Sequence, residues 1–293
     1  MNDLGNYGVP VGSVEDRGVG ALVGLAVGDA LGTSVEFKKR GTFPPVTDMR
    51  GGGVFGLNPG EWTDDTSMAL ALGEALLKDT VLADPATAMN RWVNWYEWGM
   101  YSHNDRCFDI GNQTAAALSN WSMSRSLPDE DTESAGNGGI MRLAPAVIAN
   151  FNDMDTMLDV ARRQSDLTHR NPQCRLIATG LARLMAALIV GQGKEEIPAD
   201  IAARSESEVK STGYVVDTFE AAVWAFAPRD GFRNILLRAV NLGDDADTVG
   251  AVTGQIAGAA YGLSGIPESW LEVLAWRPKI IEMGRALYGL ANR

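Results

Sequence analysis

The sequence predicts an all-α fold. Apolar residues recur at every third or fourth position along most of the 293-residue chain, which is the period of an amphipathic helix. Runs of alternating β-branched residues, which indicate strands, are nearly absent. Two segments also carry glycine at every fourth position, a spacing that lets two helices pack closely. Because 45% of the residues are apolar, we expect the helices to share one core in a single compact domain.

Helical periodicity defines the elements in order. The first predicted helix holds one glycine row, and the second follows an acidic run at 63–66. The fifth follows a glycine-rich turn at 136–139, and the last begins at an acidic run, 244–248, and holds the other glycine row. The periodicity places the helices at 14–31, 66–77, 85–98, 114–123, 141–149, 154–165, 173–190, 214–226, 232–242 and 248–262.

The glycine rows need a structural reason, because each glycine within a helix costs about 1 kcal/mol relative to alanine. Close approach of two helix backbones provides that reason. If the two glycine-bearing helices lie centrally, Asp29 and Glu36 at the end of one come near Asp245 and Asp247 at the start of the other. The glycines are Gly20, Gly24, Gly28 and Gly32 in the first row and Gly250, Gly254, Gly258 and Gly262 in the second.

Composition and charge exclude several functional classes. A net charge of −12 argues against a broad basic surface that binds DNA or RNA, so we expect no nucleic-acid partner. Cys107 and Cys174 are too few for a disulfide framework, and with only two histidines the chain contains no zinc signature. Any metal ligands are therefore expected to be oxygen atoms.

The N-terminal segment and the apolar stretches predict where the protein works. Residues 1–12 lack the basic, apolar and small-residue regions of a signal peptide, so we expect a cytoplasmic protein. Glycine, aspartate or arginine interrupts each long apolar stretch before the length that a membrane span needs, so we expect no membrane contact. We divide the chain into a flexible N-terminal segment at 1–13 and one domain at 14–293.

The two acidic runs suggest a metal site. Each run contains more acids than helix capping needs, and each begins an apolar helix. Carboxylates gathered in an apolar protein repel one another unless cations offset their charge, and their oxygens suit Mg²⁺ or Mn²⁺. An alternative interpretation treats both runs as metal-free helix N-caps, since helix starts favour the same residue types. The candidate ligands are Thr63, Asp64, Asp65, Asp245, Asp247 and Thr248.

Four further positions could take part in binding or chemistry, and each has a plain structural alternative. Glu36 follows an apolar helix, where a carboxylate can also be merely solvated. The turn at 136–139 could offer backbone N–H groups to a phosphate or could only turn the chain. His169 precedes a helix and could bind a ligand or cap that helix. Asp109 follows an aromatic-rich stretch that more often forms core than a binding surface.

In their order along the chain, these motifs resemble those of the ADP-ribosylglycohydrolase family, particularly its bacterial branch of dinitrogenase-reductase-activating glycohydrolases. The resemblance rests on motifs spread over most of the chain rather than on any one of them. They are the segment at 24–32 (GLAVGDALG), Glu36, the run at 63–66 (TDDT), Asp109 with Gly111 and Asn112, the turn at 136–138 (GNG), Thr168 with His169, the segment at 214–218 (YVVDT) and the run at 243–248 (GDDADT).

The resemblance implies an all-α domain with a binuclear metal cleft that holds two divalent cations, Mg²⁺ or Mn²⁺. It implies a hydrolase that removes mono-ADP-ribose from a modified arginine of a protein substrate by cleaving the N-glycosidic bond. The chain is expected to act as a monomer. By the same resemblance the catalytic residues are Asp109 and Glu36, the metal ligands are Thr63, Asp64, Asp65, Asp245, Asp247 and Thr248, and the ADP-ribose contacts are Asn112, Gly136, Asn137, Gly138, His169 and Tyr214.

Three competing functions are compatible with the same motifs. A hydrolase of this fold could release ADP-ribose from serine or O-acetyl linkages, although Asp109 in the sequence Asp-Ile-Gly-Asn favours the arginine branch. A non-catalytic structural protein is a second possibility, since the family resembles some lens crystallins. A metal-dependent phosphohydrolase of another kind would use the acidic runs without the ADP-ribose contacts.

Overall fold

Helices make up nearly all of the regular structure in the computed structural model, which describes residues 7–129, 133–192 and 197–292. Within those ranges, β pairing is limited to isolated bridges such as Gly136 with Tyr214. The predicted all-α fold is therefore confirmed. None of the helices in the described residues is both long enough and apolar enough to cross a membrane.

The helices are numbered in chain order. Most of the predicted segments agree with the observed helices to within one or two residues at each end. The bounds are α1 Val14–Gly32, α2 Asp64–Lys78, α3 Ala86–Trp98, α4 Asn112–Ser124, α5 Gly138–Met141, α6 Ala144–Asn150, α7 Met154–Asp166, α8 Pro172–Ile189, α9 Ala199–Ala202, α10 Val215–Phe226, α11 Phe232–Val240, α12 Ala246–Tyr261, α13 Glu268–Val273 and α14 Arg277–Ala291.

The two glycine-rich helices, α1 and α12, form an antiparallel pair at the centre of the molecule. A Cβ atom on Gly24 would lie 2.2 Å from the carbonyl oxygen of Gly254, and one on Gly28 would lie 2.0 Å from that of Gly250. Both helices are buried along almost their whole length. The glycines therefore act as predicted, because only a residue without a side chain lets the two backbones come this close.

The other helices surround this pair. Helix α14 packs on α1, α2 and α6, whereas α8, α10 and α11 pack on α12. Helix α3 packs on α2, α4 packs on α3, and α7 packs on both α6 and α8. Nearly all buried apolar residues of the described ranges belong to one continuous core, which agrees with the expected single domain.

One predicted helix, 141–149, is wrong as a single element. The chain forms two short helices there, α5 and α6, separated at Arg142 and Leu143. The cause is Pro145, which has no backbone N–H group and whose ring would clash with the carbonyl group of Met141 in a continuous helix.

Two C-terminal helices were not predicted. Helix α14 has 15 residues and buries Ile280, Ile281, Gly284 and Leu287, so its apolar face does follow helical spacing. Its exposed face carries several charges and its interior contains two glycines, which weakens the signal. Helix α13 has six residues, too few for periodicity to be recognised.

The N-terminal boundary coincides with the start of α1 at Val14. The flexible segment predicted at 1–13 lies partly outside the described residues, which begin at Tyr7. Within the described part, Val9 is buried and the Arg277 guanidinium lies 5.7 Å from the centre of the Tyr7 ring. The flexibility of this segment stays a prediction.

Gly254→Ala is expected to lower the free energy of unfolding by about 3 kcal/mol, because the new methyl group would lie 1.9 Å from the carbonyl oxygen of Gly24. Gly180→Ala in α8 is the matched control, since its Cβ would meet no atom within 4 Å. There the gain in helix propensity should stabilise the protein by up to about 1 kcal/mol. Urea unfolding followed by circular dichroism measures both changes, and equal effects would contradict the close helix contact.

Candidate metal and substrate site

The end of α1 and the starts of α2 and α12 meet at one place. Because α1 and α12 are antiparallel, the C-terminal end of α1 lies beside the first residues of α12, and Gly32 contacts Ala246 and Asp247. The predicted approach of Asp29 and Glu36 to the second acidic run is therefore confirmed. Backbone hydrogen bonds fix the segment after α1 to the segment before α12, from Phe37 N–H to the Asp244 carbonyl at 2.7 Å and from Asp244 N–H to the Lys38 carbonyl at 2.8 Å.

Asp29 joins α1 to the start of α2. Its carboxylate accepts four hydrogen bonds, from the backbone N–H and the hydroxyl groups of both Thr63 and Thr66, at 2.6–3.0 Å. The first turn of α2 is thus capped by a residue of another helix. Burial raises the pKa of Asp29 to about 6, although these four hydrogen bonds oppose the rise.

The interpretation of the acidic runs as ordinary N-caps fails on this geometry. Thr63 precedes α2 and Asp245 precedes α12, but neither side chain makes a capping hydrogen bond to its helix. Both runs still lie at the positive ends of helix dipoles, which favours carboxylates there. The capping positions therefore do not account for the acids of the runs, and Asp65 Oδ2 and Asp247 Oδ1 are buried without a hydrogen-bond partner in the described part of the chain.

The buried carboxylates form two overlapping groups. One oxygen each from Asp29, Asp65 and Asp247 lie within 4.8 Å of one another, and so do oxygens of Glu36, Asp109 and Asp247. Three oxygens of this cluster, Glu36 Oε2, Asp65 Oδ2 and Asp247 Oδ1, are buried without a hydrogen-bond donor in the described part of the chain. Oxygen-rich groups with such orphaned atoms fit hard divalent cations. The site therefore suits a metal centre, and Asp247 belongs to both groups.

The electrostatic state of the cluster supports that fit. Burial raises the pKa values of Asp64, Asp65 and Asp247 well above their usual range, and repulsion from neighbouring carboxylates raises them further. Burial also raises the pKa of Asp245. Buried carboxylates in this number repel one another unless they bind protons or cations. At neutral pH one divalent cation neutralises several of these oxygens at once.

Glu36 and Asp109 lie side by side, with carboxylate oxygens within 4.8 Å of each other. Burial, together with the nearby Asp109 charge, raises the pKa of Glu36 to about 10, and burial raises that of Asp109 to about 7. Asp109 has a left-handed backbone with φ of 60°, a conformation that aspartate tolerates better than most residues. It lies in the loop just before Gly111, the residue that precedes α4.

These groups form the floor and walls of a cleft of about 850 Å³. Most of the predicted site residues line it, whereas Thr63 and Asp65 are fully buried beneath the surface. Tyr214 pairs with Gly136 through an isolated bridge but is not part of the lining. The predicted residues in the lining are Glu36, Asp64, Asp109, Asn112, Gly136, Asn137, Gly138, His169, Asp245, Asp247 and Thr248.

The glycine-rich turn forms part of the cleft wall and packs against His169. The Asn137 N–H group donates to the Gly213 carbonyl at 3.1 Å and is not free for a phosphate, and the helix that follows has only four residues. A Cβ atom on Gly138 would lie 2.4 Å from the His169 ring, and one on Gly136 would lie 3.1 Å from His169 Nε2. The glycines thus allow the turn to lie against the imidazole.

Asn137 supports the second acidic run. Its amide nitrogen donates to Asp245 Oδ2 at 2.6 Å and to Thr218 Oγ1 at 2.9 Å. Thr218 in turn donates its hydroxyl hydrogen to a carbonyl of the loop before α10, either Thr212 at 3.0 Å or Tyr214 at 3.3 Å. The segment at 214–218 thus helps to hold Asp245 in place, because Thr218 and Asp245 are joined through the Asn137 amide.

Several residues at the cleft were missed by sequence reasoning. Asp244, which is not among the candidate ligands, lines the cleft and is exposed. Phe37 also lines the cleft, with 63% of its surface exposed and a left-handed φ of 59°. An aromatic residue directly after Glu36 was the available signal for Phe37. The other lining residues that were not predicted are Ile110, Gly111, Gln113, Thr114, Ser134, Met141, Thr212 and Gly213.

Adding Mg²⁺ to protein that has been treated with a chelator is expected to raise the melting temperature by about 5–10 °C at saturating metal. Because the carboxyl pKa values are raised, the metal-free folded protein holds protons that the unfolded chain releases above about pH 4. Its stability therefore falls as the pH rises through the folded pKa values, which reach about 7 for Asp109 and about 10 for Glu36.

The shift caused by Mg²⁺ should consequently be larger at pH 8 than at pH 6. Thermal unfolding of chelated and Mg²⁺-loaded protein at both pH values measures it, with Na⁺ at matched ionic strength as control. An equal melting temperature with and without divalent metal would contradict the metal centre.

Comparisons with known proteins identify the family. A sequence model of the ADP-ribosylglycohydrolase family matches residues 11–293. The ADP-ribosylarginine hydrolase Tri1 of Pseudomonas putida (strain GB-1) is 42% identical, over 94% of this chain and 79% of that protein. The ADP-ribosyl-(dinitrogen reductase) glycohydrolase of Rhodospirillum rubrum is 34% identical, over 89% and 91% respectively. A solved structure of an ADP-ribosylglycohydrolase-related protein complex superimposes with a TM-score of 0.81 at 40% identity, covering 95% of this chain and 99% of that one.

Proposed function

Because the chain belongs to the ADP-ribosylglycohydrolase family, we propose that it is an ADP-ribosylarginine hydrolase, which removes mono-ADP-ribose from modified arginines of a protein substrate. The observation that carries this proposal is 42% and 40% identity to two hydrolases of that name, over 94% and 97% of this chain. The cleft supports it, because candidate cation ligands and titratable carboxyls share a concave space large enough for a nucleotide.

Two divalent cations, Mg²⁺ or Mn²⁺, are the proposed cofactors. Bound there, the cations would supply positive charge that orients the ribose hydroxyls and lowers the pKa of a bound water. The same charge would offset that of the acids, which otherwise repel the substrate phosphates. Glu36 lies beside the proposed ligands, and Asp29 holds one of the two runs in place through its hydrogen bonds. The proposed ligands are Thr63, Asp64, Asp65, Asp245, Asp247 and Thr248.

Asp109 is the residue to which we assign proton transfer. Cleavage of the N-glycosidic bond builds positive charge on the ribose and leaves an electron pair on the guanidinium nitrogen, which must gain a proton. Asp109 faces the cleft, and in the metal-free protein burial raises its pKa to about 7, so its carboxyl group can both bind and release a proton near neutral pH. Glu36, whose metal-free pKa is also raised, is the alternative proton carrier.

The remaining predicted residues form the proposed ADP-ribose contacts. Gly136, Gly138 and His169 form one wall of the cleft, and Asn112 lies at the start of α4 on the same cleft. Asn137 both lines the cleft and fixes Asp245. Tyr214 contacts the glycine-rich turn through its backbone, with its side chain 37% exposed beside the cleft.

The partner is an ADP-ribosylated protein, as the names of the relatives indicate for those proteins. We propose that this chain acts as a monomer in the cytoplasm, without a nucleic-acid or membrane partner. The net charge of −12 supports the absence of nucleic-acid binding.

Peptides that carry ADP-ribose on arginine or on serine test the proposed linkage. With Mg²⁺ or Mn²⁺ present, the protein is expected to release ADP-ribose from the arginine-linked peptide at least tenfold faster. Mass spectrometry of the peptide and chromatography of the released nucleotide measure both products. Release from the serine-linked peptide alone would replace the arginine proposal with the O-linked alternative, and no release from either would favour a structural member of the fold.

A further inference from the structure

A fully buried arginine lies beneath the wall of the cleft. Arg142 is 0% exposed, and its guanidinium is 4.2 Å from the centre of the Trp92 ring. Its hydrogen-bond partners in the described structure are neutral: Gln164 Oε1 at 3.1 Å, the Gln164 carbonyl at 3.0 Å and Thr168 Oγ1 at 2.7 Å, with Met68 Sδ farther away at 3.8 Å. The carboxylates of Asp64 and Asp65 act on it only through their charge, without a hydrogen bond. A buried charge without a carboxylate in its hydrogen-bond shell is costly, so its position calls for a reason.

Arginine determines the direction of the next hydrogen bond. A guanidinium has five N–H donors and no acceptor, so Thr168 Oγ1 must accept the bond from Arg142. The Thr168 hydroxyl hydrogen is then free to donate to its other partner, His169 Nδ1, at 2.8 Å. If Nδ1 instead carried the proton, Thr168 would accept two bonds and its own buried hydrogen would have no acceptor among its recorded contacts, which is unfavourable.

The same logic fixes the protonation of the imidazole. With Nδ1 acting as an acceptor, His169 is neutral and its single proton lies on Nε2. Burial and the nearby Arg142 charge lower the pKa of His169 to about 3, which agrees with a neutral ring. His169 is a residue of the cleft wall, and Nε2 is the ring atom closest to the turn at Gly136.

We propose that Arg142 and Thr168 are positioning residues, which hold His169 as the neutral tautomer with an Nε2–H donor on the cleft. Such a donor recognises an acceptor oxygen of a nucleotide sugar, either a phosphate or a ribose oxygen. The ligand assignment rests on the proposed function, whereas the tautomer rests only on the hydrogen bonds of this chain.

The tautomer can be measured directly, because the chain has only two histidines. In ¹⁵N-histidine-labelled, Mg²⁺-loaded protein, two-bond ¹H–¹⁵N spectra distinguish the protonated from the unprotonated ring nitrogen. His103 is an internal reference, since its Nε2 lies 3.0 Å from the Trp62 carbonyl, which can only accept. His103→Gln assigns the remaining signals to His169, which should show a proton on Nε2 alone.

Thr168→Val removes the hydroxyl while keeping the shape of the side chain. The His169 signals should then shift toward a tautomer mixture, and the affinity for ADP-ribose, measured by calorimetry, should fall about three- to tenfold, the effect of one weakened hydrogen bond. Thr168→Ser keeps the hydroxyl and should restore both readouts to within about twofold. Thr253→Val is the matched control, because Thr253 is also fully buried but bonds to Val249 of its own helix.

Each outcome decides the proposal. A proton on Nδ1 of wild-type His169, or an unchanged tautomer in Thr168→Val, would overturn the positioning role. A shifted tautomer with unchanged ADP-ribose affinity would overturn the assignment of Nε2–H as a ligand contact. Failure of the proposed function would instead appear as missing arginine-linked hydrolysis in a protein whose His169 tautomer is as expected.

Discussion

Asp247→Asn is expected to lower kcat/KM for arginine-linked ADP-ribose by about a thousandfold, which corresponds to about 4 kcal/mol of lost transition-state stabilisation. Asp247 is the only residue that belongs to both groups of clustered carboxylates recorded for the described chain. The substitution removes one negative charge that both groups share. Steady-state hydrolysis of an ADP-ribosylarginine peptide in saturating Mg²⁺ measures the effect.

The same substitution should have the opposite effect on the stability of the metal-free protein. Burial and repulsion from Glu36 and Asp245 raise the pKa of Asp247, so asparagine relieves an unfavourable charge when no cation is bound. Chelated Asp247→Asn protein should therefore melt at or above the temperature of the chelated wild type. Asp155→Asn, an exposed change on α7, is the control for activity. If Asp247→Asn lost activity and its chelated form also melted below the chelated wild type, Asp247 would serve only the fold.

Asp109→Asn is expected to lower kcat by about a hundredfold to ten-thousandfold, the contribution of a positioned proton donor or acceptor. The amide keeps the size of the side chain but cannot transfer a proton. Because Asp109 is assigned to chemistry rather than to recognition, the affinity for ADP-ribose should change less than about threefold. Single-turnover kinetics and calorimetry separate the two effects.

Glu36→Gln provides the comparison, since the Glu36 carboxylate has an oxygen within 4.8 Å of one of Asp109. A smaller loss of kcat than in Asp109→Asn is expected, because proton transfer is assigned to Asp109 and not to Glu36. The reverse order would transfer the role of proton carrier to Glu36. A large loss of ADP-ribose affinity in Asp109→Asn would indicate a binding role for Asp109.

The fold class and the central helix pair could be predicted because both depend on local patterns. Helical periodicity and the fourfold glycine spacing are properties of short segments, and the structure confirms both. Pro145, which separates α5 from α6, was also a visible signal, but the periodicity of the surrounding apolar residues obscured it. Helix α14 was missed because its charged face and two glycines weaken a pattern whose buried positions are helical.

The acidic runs could be recognised from the sequence, but their supports could not. Asp29 caps α2 from another helix, and Asn137 fixes Asp245 from a distant turn. Neither contact follows from spacing, because each joins segments that only the folded chain brings together. The same holds for Gly136 and Gly138, because the spacing of the glycine-rich turn does not reveal their contact with the distant ring of His169.

The antiparallel pairing of α1 with α12 has a consequence for how the protein is made. Ribosomes add about 5–20 residues per second, so the start of α12 follows the end of α1 by roughly 10–40 seconds. During that interval α1, which is among the most deeply buried helices of the finished protein, has no partner for its glycine face. The acidic cluster that joins Asp65 to Asp247 therefore cannot assemble until synthesis has passed the start of α12.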